Sequence, residues 1–359
     1  MQFINAHNVA YQPSNWLTFA DVLLMPKASD IDSRNDPRID LSTKLTSNLS
    51  LRIPILSANM DTVTGAKMVK AMGIEGAFGI LHRFHSSPEA YLAEIKDIAD
   101  SIGLVAFSIG ADTKELDFVE RAIKECPAKY HVVCVDIAHG HLQKCTTQVK
   151  NLRKAFGTSV QIIAGNVCTA SAAQGLIAAG ANTIKVGVGP GSHCTTREVT
   201  GHGLPQLSAI MQCRMAINAM QSNCALIADG GIRTSGDIVK ALAAGADSVM
   251  IGRLFAATEE SPGEIVDILP YPLIGKKYRG QSSQDFLDSI GKTNVTSEGK
   301  SSYITYRGSV LPILRSLIQG IKSGMSYAGC TNLTALSENS TFIEISQNAH
   351  IEGTPHGVE

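Results

Sequence analysis

The segment Gly187-Val188-Gly189-Pro190-Gly191-Ser192-His193-Cys194-Thr195-Thr196-Arg197 ends a glycine-rich turn on a cysteine. A thiol attacks carbon or binds metal as its thiolate, a form favoured by nearby N–H dipoles or a base. Glycines let the backbone turn sharply and bring N–H groups close to an anion, or carbonyls close to a cation. The chemistry this suggests is nucleophilic attack by Cys194 beside an anion seat. The alternative for any cysteine is a small buried hydrophobe. Most of the eight, at 126, 134, 145, 168, 194, 213, 224 and 330, are expected to be such reduced core residues, with no Cys-x-x-Cys spacing among them.

Two further glycine elements carry the same kind of signal, Ala228-Asp229-Gly230-Gly231 and Met250-Ile251-Gly252-Arg253. Their backbone amides, with Ser192, would hold a nucleotide monophosphate. Asp229 is itself an anion, so it would accept hydrogen bonds from ribose hydroxyls; its alternative reading is a turn residue or helix cap. His139 and His141 in Asp136-Ile137-Ala138-His139-Gly140-His141 form a pair without a third ligand, and no catalytic zinc is expected.

These residues need a scaffold that gathers distant loops. Short apolar runs at Ile53–Ser57, Gly76–Leu81, Leu104–Ser108, His131–Asp136, Gln161–Ala164, Thr183–Val186, Ala225–Ala228 and Ser248–Ile251 read as eight strands. Between them lie helix-compatible segments such as Ala170–Ala179 and Gly236–Ala244, closed by glycine. Eight strand–helix units favour a closed (β/α)8 TIM barrel over an open doubly wound sheet, with the site at the strand C-termini. Polar residues collect there: Asn59, Asp61, His82, Arg83, Asp136, His139, Asn166, the 187–197 loop, Asp229–Gly231, Gly252 and Arg253. From about Tyr271 to Arg307 the pattern breaks into Gly- and Ser-rich polar sequence, which reads as an inserted active-site flap or a disordered excursion. The expected organisation is one barrel domain over residues 1–359 carrying that flap at about 271–307.

Lys plus Arg number 31 against 32 Asp plus Glu, so no basic excess points to nucleic acid. No apolar run reaches the length of a membrane span, and Met1–Trp16 lacks a charged start followed by an apolar block. The expected location is cytoplasmic.

Several segments together resemble the IMP dehydrogenase and GMP reductase family. They are Asp21-Val22-Leu23-Leu24 with Pro26, Ser57-Ala58-Asn59-Met60-Asp61-Thr62-Val63, Asp136-Ile137-Ala138-His139-Gly140, Ala164-Gly165-Asn166-Val167, the 187–197 loop, Asp229-Gly230-Gly231-Ile232-Arg233 and Ser326-Tyr327-Ala328-Gly329. They run in family order from about residue 17 to 345. The resemblance implies a barrel that is usually a homotetramer, in which Cys194 attacks C2 of a purine monophosphate. It implies that Ser192, Gly230, Gly231, Gly252 and Arg253 surround the phosphate, Asp229 the ribose, and Gln281, Ser282 and Ser283 the base. Asn59, Arg83, Asp136, Ala138 and Asn166 would face the nicotinamide cofactor. Backbone carbonyls of Gly187, Gly189 and Cys194 would hold a monovalent cation such as K+.

The family's dehydrogenases oxidise IMP with NAD and activate water with an Arg-Tyr pair on a long flap. Its reductases lose ammonia from GMP and reduce the product with NADPH. Here residues 284–297 contain neither Arg nor Tyr, and only residues 82–103 separate the second and third strands, too few for a regulatory insertion. Thr200–Ser208, Glu259–Glu264 and Ser297-Glu298-Gly299-Lys300 also match the reductase, whereas other segments, notably Asp229–Asp237, are shared or pull towards the dehydrogenase. The resemblance then implies Thr196 and Glu298 as an acid/base pair, Glu298 being otherwise a solvated surface carboxylate. The expected activity is NADPH-dependent reductive deamination of GMP to IMP. The alternatives are an IMP dehydrogenase, and a non-catalytic purine-nucleotide-binding barrel.

Overall fold

The computed structural model describes residues 15–270 and 273–355. The reading of the N-terminus up to residue 14, Tyr271 at the start of the expected flap, and the last residues of the expected domain therefore lie outside the described residues.

Eight parallel strands build the centre: β1 (Ile55–Ser57), β2 (Phe78–Gly79), β3 (Leu104–Ile109), β4 (Tyr130–Asp136), β5 (Val160–Val167), β6 (Thr183–Val186), β7 (Ala225–Asp229) and β8 (Ser248–Ile251). Their order around the sheet is β2-β1-β8-β7-β6-β5-β4-β3. A parallel bridge from Leu81 to Phe107 joins β2 to β3 and closes the ring. This is a (β/α)8 barrel. Such strands are covered on both faces, which is why they read as continuous Val/Ile/Leu runs rather than alternating ones. Ile55, Leu56, Val132, Val133, Ile162, Ile184, Ile227 and Val249 are all fully buried.

Helices on the outer ring include α1 (Ala66–Glu75), α2 (Pro88–Ile102), α3 (Glu115–Glu125), α4 (Gln143–Phe156) and α5 (Ala170–Ala178). They continue with α6 (Thr196–Thr200), α7 (Gln206–Ala219), α8 (Ser235–Ala243) and α9 (Arg253–Ala256). Local chemistry sets their ends. The Ser87 hydroxyl caps α2 with Pro88 in its first turn, and left-handed Gly103 stops it. Thr234 and Asp237 form a reciprocal capping box on α8.

Between α9 and α11 (Val310–Ala328) the chain leaves the barrel. The excursion is not a loop: β9 (Ile265–Ile268), β10 (Leu273–Arg279) and β11 (Ser301–Thr305) form an antiparallel sheet, with α10 (Gln284–Ser289) between the last two. It therefore begins before residue 271. Its ends are pinched together, because Glu259 N–H donates to Gly308 O and Arg307 N–H to Ala257 O, each at 2.9 Å. The Lys276 side chain anchors it from below, fully buried, its ammonium donating to the carbonyls of Thr258 and Ser261.

Candidate active site

A cleft of about 610 Å³ opens at the C-terminal rim of the barrel, under the flap. Asn59, Arg83, Asp136, Ala138, Asn166, Gly187, Gly189, Cys194, Thr196, Asp229, Gly230, Gln281, Ser282 and Glu298 all line it. Residues more than 200 positions apart in the chain are thus brought to one space, delivered by the ends of β1, β2, β4, β5, β6 and β7 and by the flap.

Cys194 closes the loop after β6. Its Sγ lies 3.2 Å from Thr196 Oγ1, and the Thr196 hydroxyl donates to Glu298 Oε2 at 2.8 Å. Glu298 comes from the flap and is half-buried rather than a solvated surface group. Its backbone is tied down as well, since Thr195 N–H donates to Glu298 O at 2.9 Å and Cys194 faces Gly299 in an antiparallel bridge. Thiol, hydroxyl and carboxylate form one continuous path along which a proton can move. The other seven thiols are all pushed up by burial, Cys145 to about 11 and Cys224 to about 12.

Beneath the loop sits a charge cluster that sequence reading missed. Lys185, on β6 and only 2% exposed, donates to Asp136 Oδ1 at 2.8 Å and to Asp229 Oδ2 at 2.7 Å. Burial works against the ammonium, but the two carboxylates outweigh it and hold its pKa above the ordinary lysine value. Asn166 Nδ2 reaches both Asp229 Oδ2 and Gly187 O at 2.8 Å. Asp229 is therefore neither a turn residue nor a helix cap but one end of this bridge. A lone lysine in the apolar run Thr-Ile-Lys-Val was the available signal. Gly187 is held against β7 so closely that a Cβ would fall 2.0 Å from Asp229 O, at a left-handed φ of 151°.

At the expected phosphate side, Ser192 is exposed, Gly230 and Gly231 have φ of 91° and 81°, and Gly252 caps α9 directly before Arg253. Tyr278 of β10 joins them. Its ring is buried, its hydroxyl lies beside Ser192, and a Cβ on Gly252 would meet that hydroxyl at 2.9 Å. Burial pushes its phenol up to about 12. Gln281 Nε2 donates to Asn59 O at 3.2 Å. Ser283 is buried, and its hydroxyl accepts from Phe286 N–H as the cap of α10.

On the opposite side two buried polar atoms lack a protein partner, Arg83 Nε and Asn166 Oδ1. The Arg83 guanidinium lies over the Phe84 ring at 4.4 Å. Unsatisfied groups lining a cleft suit a polar ligand with its own donors and acceptors. Among the described residues the one three-donor cluster is His82, His85 and Glu94. The two imidazoles stack at 4.4 Å with planes 10° apart, so their in-plane lone pairs do not converge on one ion.

The family described as IMP dehydrogenase / GMP reductase domain matches residues 16–356. A GMP reductase of Vibrio vulnificus is 38% identical over 92% of this chain and 94% of its own length. The GMP reductase 2 of Homo sapiens is 36% identical over 93% and 95%. An inosine-5'-monophosphate dehydrogenase of Borreliella burgdorferi is 35% identical over 95% and 97%.

Proposed function

Because the chain belongs to the IMP dehydrogenase / GMP reductase family, we propose that it is a GMP reductase, converting GMP to IMP and ammonia with NADPH. The observation that carries this reading is the path from Cys194 Sγ through Thr196 Oγ1 to Glu298 Oε2. A reductase must protonate a departing amino group, and this relay ends on the sulfur that would displace it. A dehydrogenase must activate water. Residues 284–297 supply neither Arg nor Tyr, and Arg279 is committed to Asp61 and Asp285.

Cys194 Sγ adds to C2 of the guanine, and its proton passes by way of Thr196 and Glu298 to the amino nitrogen. The C2–N bond then breaks, ammonia leaves, and the purine stays bound through sulfur. A reduced nicotinamide, when bound on the Arg83, Asp136 and Asn166 side, supplies the hydride that replaces sulfur at C2. The thiolate departs as IMP forms and regains its proton from solution. Ser192, Gly230, Gly231, Gly252, Arg253 and Tyr278 seat the phosphate. Asp229 takes the ribose, and Gln281 and Ser282 the base. Carbonyls of Gly187, Gly189 and Cys194 would hold K+; the Gly187 oxygen already accepts from Asn166, which leaves one lone pair. We place the enzyme in the cytoplasm as a homotetramer; among the described residues no helix is long and apolar enough to cross a membrane.

The test is product analysis. GMP with NADPH should give IMP and ammonia, IMP with NAD essentially no xanthosine monophosphate, and Cys194→Ala should lose turnover while still binding GMP. Xanthosine monophosphate formed as fast as GMP is reduced would overturn the reading in favour of a dehydrogenase. Nucleotide binding without either reaction would make it a regulatory barrel.

A further inference from the structure

The residue between Ser192 and Cys194 is a histidine whose ring points to the flap. His193 Nε2 lies 2.7 Å from Ser302 Oγ on β11, and its Nδ1 lies 3.3 Å from Ser192 Oγ. Its ring meets Tyr278 edge-on at 4.4 Å. Tyr278 and Ser302 are paired residues of β10 and β11, so they share one face of the flap sheet and the imidazole rests on both. The His193 backbone belongs to the same contact, since its carbonyl accepts Lys300 N–H at 2.8 Å. A Cβ on Gly280 or Gly299 would approach that carbonyl to 3.1 or 3.3 Å, so the flap backbone is seated tightly there.

Residues 193–195 and 298–300 thus form a two-rung ladder, Lys300 N–H to His193 O and Thr195 N–H to Glu298 O. So short a ladder does not specify its own register. A slip of one residue turns every side chain to the other face, and a slip of two keeps the bonds but sets Thr296 or Lys300 where Glu298 belongs. Side chains must choose. We propose that His193 is a positioning residue: through Ser302 it fixes the register of the flap strand against the nucleophile loop, and thereby places the Glu298 carboxylate on Thr196. The proposal rests on the GMP reductase reading.

Ser302→Ala removes the hydroxyl and leaves every group that would touch GMP. Single-turnover ammonia release should fall about tenfold, as misplacement of a proton relay does. GMP affinity by calorimetry should stay within about twofold, and Ser302→Thr should restore the rate. The double-mutant cycle is decisive: in a Glu298→Gln background Ser302→Ala should have no further effect, because the two act as one unit. His193→Leu should reproduce the loss. Amide exchange at Thr195 and Lys300 should quicken in Ser302→Ala, and this decides the matter if the Glu298→Gln rate is too slow to read. An unchanged rate in Ser302→Ala, the same fractional loss with and without Glu298, or unchanged exchange would each overturn the proposal alone. A Glu298→Gln variant as active as wild type would instead overturn the reductase mechanism, and this proposal with it.

Discussion

The relay sets the expectations for single side chains. Glu298→Gln keeps the shape and removes the ionisable group, and Thr196→Val breaks the middle link. Each should slow ammonia release from GMP by about a hundredfold or more, and the double variant should be little worse than either. Cys145→Ala, buried in α4 and outside the cleft lining, should change turnover little. A separate expectation concerns His82, whose imidazole burial, with help from His85, lowers to about 3. The folded state then binds fewer protons than the unfolded one, whose histidine titrates near 6.5. Stability is therefore whole above pH 6.5 and falls by about 1.4 kcal/mol per unit as pH drops from there towards 3. Urea titrations at pH 7 and 5 should show that loss, and His82→Asn should flatten it. Cys194 and Asp229 were legible because glycine-rich segments announce them. His193, Tyr278 and Lys185 were not, because each gains its meaning from a partner on another strand.

The flap is the element whose form sequence patterning missed, and the reason is physical. Its central strand reads Leu-Ile-Gly-Lys-Lys-Tyr-Arg, and the inward-facing Lys276 hides the apolar alternation by satisfying its ammonium on backbone carbonyls. By contrast the barrel strands and helices fell close to their expected places, α5 at Ala170–Ala178 and α8 at Ser235–Ala243. The second strand is shorter than read, a Phe78–Gly79 ladder with Leu81 as a separate bridge. Arg279 joins the flap to the first barrel loop, donating from Nε to Asp61 at 3.0 Å and from Nη1 to Asp285 at 2.9 Å. Arg279→Ala leaves Asp61 half-buried without its cation, so amide exchange across residues 280–300 should accelerate and kcat should fall with it. The proposed phosphate loop gives a sharper test: Gly231→Asp would set like charge in that anion seat at a left-handed φ, and calorimetry should show GMP binding sharply weakened in a variant that still folds.

For the molecule as a whole, closure depends on a narrow seam, since β2 meets β3 through Leu81 and Phe107 alone. Phe107 is fully buried, and Phe107→Ala should cost about 3–5 kcal/mol by denaturant titration, with loss of GMP binding tracking unfolding. On the proposed reading the ribose and cofactor seats and most of the phosphate seat belong to this ring, Tyr278, Gln281 and Ser282 come from the flap, and so does Glu298. It arrives on a segment that leaves the barrel at Ala257–Glu259 and returns at Arg307–Gly308, where two backbone hydrogen bonds hold exit and return side by side. That pinch makes the excursion a cassette. Its length and contents can be exchanged without stretching the barrel, as a tool head changes on a fixed handle. On the proposed reading the barrel supplies Cys194 and Thr196 and the inserted piece supplies Glu298, so within one family an exchanged insert would change what the sulfur-bound purine meets, an ammonia-releasing carboxylate or an activated water.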